Sequence, residues 1–398
     1  MQTAFLTVVL ALLTMVGPLG IDTYLPSFHA MGSEFGVSQL VVQQTLSVYI
    51  GAMALMMLFY GTLSDSFGRK PVMLASLALF TTTSLVAAFA PSMQALIVIR
   101  GLQGLSAGAG MVIARAMVQD RFSGHDAQRM MALITMVFGL APAIAPLIGG
   151  LLQTTLGWRS VFVFLALFGG GLLLAGWRGL PETLPPALRQ PFRTGVIARN
   201  FGTVLRHARF MQMSMAIALL FSGIGLYVGS AAQFVMGILH QPETAFGWLF
   251  FPLVGGLVAG SALASRLSHR VPTPRLIGWG FAISACGVAL AVGYNLLWIA
   301  ATPWAVMPVM VYTFGLALAA PGMTVAALSL FPALRGLAAS VQGFVQMMTF
   351  AAVTGVAAPL LYDSALKMAI GHAVALAIGI ALWLTALPAL VATPELPE

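Results

Sequence analysis

The sequence predicts an all-α integral membrane protein whose twelve transmembrane helices form two pseudo-symmetric halves of about six spans each. Three observations carry that reading. Hydrophobic residues make up 60% of the 398 residues and charged residues only 7%. A soluble domain carries about 25% charge, so this chain cannot cover a water-facing surface. The apolar residues gather in runs near the ~20 residues that cross a bilayer, and the basic residues gather between alternate runs.

Runs near 4–27, 40–62, 72–90, 93–118, 129–152, 158–179, 210–236, 244–265, 274–295, 303–327, 336–361 and 369–391 are the expected spans. The first has no basic n-region and no small-residue cleavage site before Asp22 and Pro26, so it reads as a transmembrane helix and not as a leader. Spans three and four are joined by "APSMQ", which makes them a tight hairpin. Span four carries Arg100 among Gly101, Gly104, Gly108 and Gly110, and small residues let helices approach closely. Span five holds "GLAPAIAPLIGG" over 139–150, where Pro142 and Pro146 each remove a backbone donor and bend the helix. The longest polar stretch, residues 178–209, has four prolines and many arginines. It divides the chain into a first half (1–180), a linker (181–209) and a second half (210–398). "GTLSDSFGRK" (61–70) after span two is echoed by "SALASRLSHR" (261–270) after span eight, with Leu63 matching Leu263 and Lys70 matching Arg270. That placement is the one a parallel internal repeat gives.

Seating the N-terminus in the cytoplasm puts fifteen of the 18 Lys and Arg residues at cytoplasmic loops or span ends, from Arg69 and Lys70 through Arg193 to Arg335. Arg159 and Lys367 fall near the other side, and Arg100 lies within a span. By the positive-inside rule both termini are cytoplasmic and the chain is a multi-pass protein of an inner membrane. The net charge of +8 therefore has a topological origin and is no nucleic-acid signal. With one cysteine, Cys286, an intrachain disulfide is impossible. The six histidines are scattered without metal-ligand spacing, and no P-loop pattern occurs. No metal, cofactor, ATP site or catalytic constellation is expected, so the chain does not read as an enzyme.

"GTLSDSFGRKPVML" resembles the loop between helices two and three of major facilitator superfamily transporters, with Gly61, Asp65, Gly68, Arg69 and Lys70 at the family's spacing. Physically, Gly61 allows close helix approach, Gly68 permits a tight turn, and Asp65 can accept from a helix N-terminus or pair with a base. The resemblance implies a cytoplasmic latch between the halves, engaging the start of helix eleven near Arg335–Ser340, with Asp120 available to Arg69. "RGLQGLSAGAGMVIARAMVQDRF" (100–122) is a second match. Arg100 lies roughly 10 Å into helix four, and a charge inside a membrane span is a functional-site hypothesis by default. The resemblance implies that it faces a central cavity and takes part in proton coupling. "ARAMVQD", "GIDTYLPSF", "LSVYIGAMALMMLFYG" and "ETLPPALRQPF" are similar to the bicyclomycin-resistance (Bcr/CflA) subgroup of drug:proton antiporters, with Gln119 where members often have Arg. Residues 139–150 resemble the helix-five motif of the exporter branch through Gly139, Pro142, Pro146, Gly149 and Gly150, with Ala145 in place of its usual Gly. Gly149 and Gly150 are expected to permit contact with a helix of the other half.

Asp22 lies about 27 Å along a helix that starts at residue 4, and two readings of it stand. It is a solvated residue at the outer membrane edge, or a protonatable carboxylate at a cavity wall that loses its proton as substrate enters. Thr14 stands where some relatives carry another acid. Tyr49, Met53, Met136, Phe221, Tyr227 and Met347 are candidates for a hydrophobic cavity, since Met and aromatic rings adapt to irregular ligands. Gln103, Gln342 and Gln346 either bond a ligand there or join helices. The function expected is proton-coupled export of a small, mostly hydrophobic molecule by two rocking halves, driven by the proton gradient without a cofactor. Its partners are the small-molecule substrate, protons and membrane lipid, not nucleic acid, and a monomer is expected. Uptake of a metabolite by proton symport is the first alternative, and a non-transporting membrane receptor is the alternative of another class. Siderophores, antibiotics and biocides all stay open as cargo.

Overall fold

The computed structural model describes residues 2–189, 194–268 and 270–386. Every regular element among them is helical, and twelve helices are long and apolar enough to cross a membrane. We label these spans α1 (Phe5–Phe35), α2 (Gln39–Phe67), α3 (Arg69–Ala88), α4 (Met93–Arg121), α5 (Arg129–Leu156) and α6 (Arg159–Gly179) in the first half. The second half holds α7 (Ala208–Gly229), α8 (Gly247–Leu267), α9 (Thr273–Leu297), α10 (Met307–Leu328), α11 (Arg335–Leu361) and α12 (Ala365–Ala386). Each expected span is present. The continuation expected for the last one to residue 391, and Arg193 of the linker, lie outside the described residues.

Most spans differ from expectation only at their ends, but α1 is eight residues longer, ending at Phe35 rather than at 27. Its first helix ends at Asp22, a 3₁₀ turn of Leu25–Ser27 follows, and a second helix runs over Phe28–Phe35. Pro26 sits in that turn, where its missing N–H costs nothing. Apolar side chains on both sides of the break keep the hydropathy high, so composition alone cannot show where the helix ends. Two π-helical segments, Gln233–Ile238 beyond α7 and Val353–Ala357 within α11, likewise leave no hydropathy signal. Many large apolar side chains face outward, such as Leu167 and Val258, which suits lipid as the surrounding solvent.

Alternate crossing gives the bundle two ends. One carries the α2–α3, α4–α5, α6–α7, α8–α9 and α10–α11 connections and is called the basic end here; the other is the far end. The halves are joined at the far end. Gln43 Nε2 of α2 donates to the Thr354 carbonyl at 2.8 Å, Gln44 Nε2 donates to the Gly355 carbonyl at 3.2 Å, and the Ser47 and Thr354 hydroxyls share a bond of 3.3 Å. Both carbonyls belong to the π-helical segment of α11, where the widened turn disturbs the regular backbone pairing. Beside this lock, Gly150 of α5 meets the chain entering α8 so closely that a Cβ would stand 2.6 Å from the Glu243 carbonyl oxygen. The linker helix Thr194–Leu205 lies at the basic end, with Phe201 against Phe59 of α2 at 6.4 Å between ring centres.

Candidate functional site

Arg100 is fully buried on α4, and its partners come from α4 itself and from α1 and α2. Because the first helix of α1 ends at Asp22, the Gly20 carbonyl belongs to the last turn, whose acceptors have no intrahelical donor. Arg100 Nη2 fills that vacancy at 2.8 Å, and the negative end of the helix dipole favours its charge. Nη1 donates to Gln103 Oε1 at 2.5 Å, and Gln103 Nε2 passes the chain on to Ser84 Oγ at 2.6 Å. Ser84 donates in turn to the Phe80 carbonyl of α3 at 2.6 Å. The guanidinium lies 4.2 Å from the Tyr24 ring centre and 4.0 Å from that of Tyr49, so two aromatic faces share the cation. Both rings are held in place: Tyr49 donates to the Gly17 carbonyl at 3.1 Å, and Tyr24 bonds Thr45 Oγ1 at 3.2 Å.

Asp22 is 3% exposed, so a solvated interfacial residue does not describe it in this state. It lies two residues beyond the carbonyl that holds Arg100, yet makes no ion pair with it among the described residues. One carboxyl oxygen, Oδ1, is buried without a hydrogen bond. Arg100 is held by a carbonyl, an amide and two rings in place of a carboxylate, and its Nε is buried without a hydrogen bond.

The glycines of α4 explain how these groups reach one another. A Cβ on Gly104 would overlap the Tyr49 backbone, and one on Gly110 would overlap the Leu13 carbonyl. On α5, Gly149 packs against Thr23 of its own half, and only Gly150 contacts the second half, so the expectation for the pair holds for one member. Gly139 has open space around it. So has Gly61, which corrects the expectation that it serves close helix approach. Gly68 does carry a turn, with φ +101° immediately before α3. Pro142 and Pro146 lie inside a continuous α5 helix.

A second polar network occupies the basic end. Arg69 Nη1 pairs with Asp65 Oδ1 at 2.5 Å and donates to Ser64 Oγ at 2.7 Å, while its Nε donates to Asp120 Oδ2 at 3.1 Å. Thr183 donates to the same Asp120 oxygen at 2.8 Å. Glu182 accepts from the Arg69 and Lys70 backbone N–H groups at 3.1 and 3.3 Å, so a carboxylate caps the α3 N-terminus. Lys70 Nζ donates to the Trp177 carbonyl at 3.0 Å. The resemblance implied the start of α11 as the latch partner. Among the described residues Asp65 pairs instead within its own half, as befits halves that meet at the far end. Glu182 was not anticipated, although it is the one acid in the basic stretch 178–209.

The cavity candidates divide by place. Tyr49, Met53 and Gln103 are buried in the packing of the first half, Met53 against Gly17 and Gly108. Tyr227 and Gln342 are buried in the second, Gln342 Nε2 donating to Thr324 Oγ1 at 3.4 Å. Phe221, Gln346 and Met347 are half-buried and Met136 is exposed. No group of His, Cys, Asp or Glu among the described residues is arranged to hold a metal.

Comparison with known proteins bears on this geometry. The chain is 32% identical over 284 residues to a bicyclomycin resistance protein homolog of Haemophilus influenzae, covering 71% of each chain. It is 29% identical to the multidrug transporter MdfA of Yersinia pestis, covering 83% of this chain and 80% of that one. Multidrug resistance protein D of Escherichia coli is 28% identical, covering 86% and 85%. Among solved structures, a bacterial homolog of the human lysosomal transporter Spinster, inward-facing and occupied, superposes with a TM-score of 0.76 at 16% identity over 100% of this chain and 99% of that one. A D-xylose-proton symporter superposes at 0.74 and 15% identity over 96% and 98%. The family model described as Major Facilitator Superfamily matches residues 10–359, and the chain belongs to that superfamily.

Proposed function

We propose that the protein is a proton-coupled exporter of small, mostly hydrophobic molecules, a drug:proton antiporter that works by alternating access in a bacterial-type inner membrane. The observation that carries the reading is Asp22, an enclosed carboxyl with a bare oxygen, beside the site that seats Arg100. An ionised carboxylate without a partner is costly in a dry interior, and the neutral acid far less so. Such a group suits a cycle in which the proton leaves when cargo or water arrives and returns from the side of higher proton concentration. The names of the relatives, which speak of multidrug transport and bicyclomycin resistance, support export over uptake. The excess of Arg and Lys supports a cytoplasmic basic end and cytoplasmic termini. In that orientation the lock of Gln43, Gln44 and Ser47 closes the periplasmic face, and Asp65, Arg69, Lys70 and Asp120 close the opposite face when the halves rock back. The chain acts as a monomer, with its basic linker against anionic lipid. The proton gradient is the energy source.

The experiment is transport in inside-out vesicles against a compound panel. Accumulation should follow an imposed proton gradient and collapse with a protonophore. Accumulation of a metabolite in right-side-out vesicles, with no activity in the inverted ones, would establish the symporter instead.

A further inference from the structure

We infer that His372 is a second proton-handling side chain, kept dry while the far-end lock is closed and wetted when it opens. The inference rests on the antiport reading above and extends it to the second half. The acids among described residues of that half are Glu243 and Asp363, both in far-end connections, so its spans contain no carboxyl there. His372 lies in the third turn of α12, is 3% exposed, and its Nε2 has no hydrogen-bond partner.

The surroundings are shaped for this ring and leave its nitrogen bare. Gly223 of α7 makes the room, since a Cβ there would overlap the imidazole. Tyr312 of α10 stands edge to face with it, 4.0 Å between ring centres, and Tyr227 of α7 stands at 6.0 Å. The Tyr312 hydroxyl is already spent on the Leu220 carbonyl. The packing gaps beside the ring leave no room for a water molecule, and α9 lines them only with Gly287, Val288 and Ala291. On α12 itself, Lys367 is tied to Asp363 at 2.5 Å. The titratable groups facing the ring are thus two tyrosines, with no acid among them. A phenylalanine or leucine would fill such a slot without burying an unpaired nitrogen, and unpaired buried polar groups call for an explanation. Histidine is the side chain that charges near neutral pH.

The same helix links the pocket to the lock. Six residues after Gly223, Gly229 of α7 abuts Thr354, with an added Cβ 2.9 Å from the Thr354 Cα, and Thr354 is the residue that Gln43 grips. Release of the lock frees α11 from α2 and lets α7 shift, and α7 supplies two walls of the pocket. Water then reaches Nε2, whose lone pair takes a proton from hydronium and leaves water. The ring gains one positive charge and returns the proton to water when the molecule faces the other way.

Ring-carbon NMR of ¹³C-labelled histidine on the detergent-solubilised protein tests this, with His372→Gln identifying the signal by its loss. In the wild type the His372 signal should stay fixed between about pH 5 and 8. In the Gln43→Ala, Gln44→Ala double variant it should titrate. No titration in the unlocked variant, or the same titration in both proteins, overturns the inference. His372→Phe keeps the ring packing, so a melting temperature near that of wild type with an altered pH profile of exchange supports it, and an unchanged profile counts against it. NMR reads the proton on the ring whether or not cargo exchanges for protons. Failure of the antiport reading would show separately, as absence of proton-driven flux in wild-type vesicles.

Discussion

Asp22 and Arg100 are opposite charges in one helical neighbourhood, and the packing treats them differently. Arg100 is provided with a carbonyl, an amide oxygen and two ring faces, whereas one Asp22 oxygen has nothing. Arg100 Nε is bare as well, but its two terminal nitrogens are bonded and its plane is stacked, whereas a bare carboxyl oxygen suits a group that changes charge. Asp22→Asn, nearly isosteric and unable to titrate, should keep ligand binding and lose proton-driven flux. Drug added to the solubilised wild type in weak buffer should release protons, and the variant should release fewer. The wild-type release should decline at high pH, where the carboxyl is already ionised and has no proton to give. Equal release from both proteins would remove Asp22 from the coupling step. Arg100→Ala strips two charge-assisted bonds, each worth about 1.5–3 kcal/mol, and should lower coupled flux at least tenfold. Arg100→Lys should recover only part, because a point charge cannot bridge Gly20 and Gln103 while stacking on Tyr24 and Tyr49. Counterflow assays on reconstituted protein separate the three.

The helices themselves were legible in the sequence because hydropathy over ~20 residues is a strong signal. Their interruptions were not. The end of the first helix at Asp22 lies inside an apolar run, yet it creates the acceptor for Arg100. The π-helical turn of α11 shows no composition change, yet it supplies the acceptors of the lock. Gln43 and Thr354 are 311 residues apart, a pairing that no local pattern encodes. Glycine content showed that helices pack closely but not which glycines are responsible. Gly110→Ala places its Cβ into the Leu13 carbonyl and should destabilise the protein by about 1–3 kcal/mol. Gly61→Ala, with open space around it, should leave the melting temperature in detergent nearly unchanged. If the two variants melted alike, close packing of α1 on α4 would not be what Gly110 provides. Glu182→Gln removes the carboxylate that caps α3 and should cost about 0.3–1 kcal/mol, a smaller loss by the same measurement.

At the scale of the whole molecule, two halves are held at one end by the lock and carry at the other an ionic network that stays within the first half and the linker. Asp65→Asn or Arg69→Ala should therefore impair flux more than ligand binding, since neither residue reaches the Arg100 site, and equal loss of both would argue against gating. The Gln43→Ala, Gln44→Ala variant should shift the population toward opening at the far end, seen as longer spin-label distances between the α1–α2 and α7–α8 connections; unchanged distances would show that the lock does not hold the state. The lock has a physical signature of its own. Its cross-half hydrogen bonds among the described residues join amides, carbonyls and hydroxyls, all neutral. The network at the basic end is ionic, and its acids are partly open to solvent, Asp65 at 39% and Asp120 at 22% of their side-chain surface. Mobile ions screen exposed charges over about 8–10 Å but leave neutral hydrogen bonds nearly untouched. Ionic strength therefore acts on the Arg69 network and leaves the cross-half bonds of the lock in place. A rise in salt should thus loosen the grip of Arg69 on Asp65 and Asp120 while the seam between the halves keeps its strength, so the two ends of one bundle answer to different properties of the water around them.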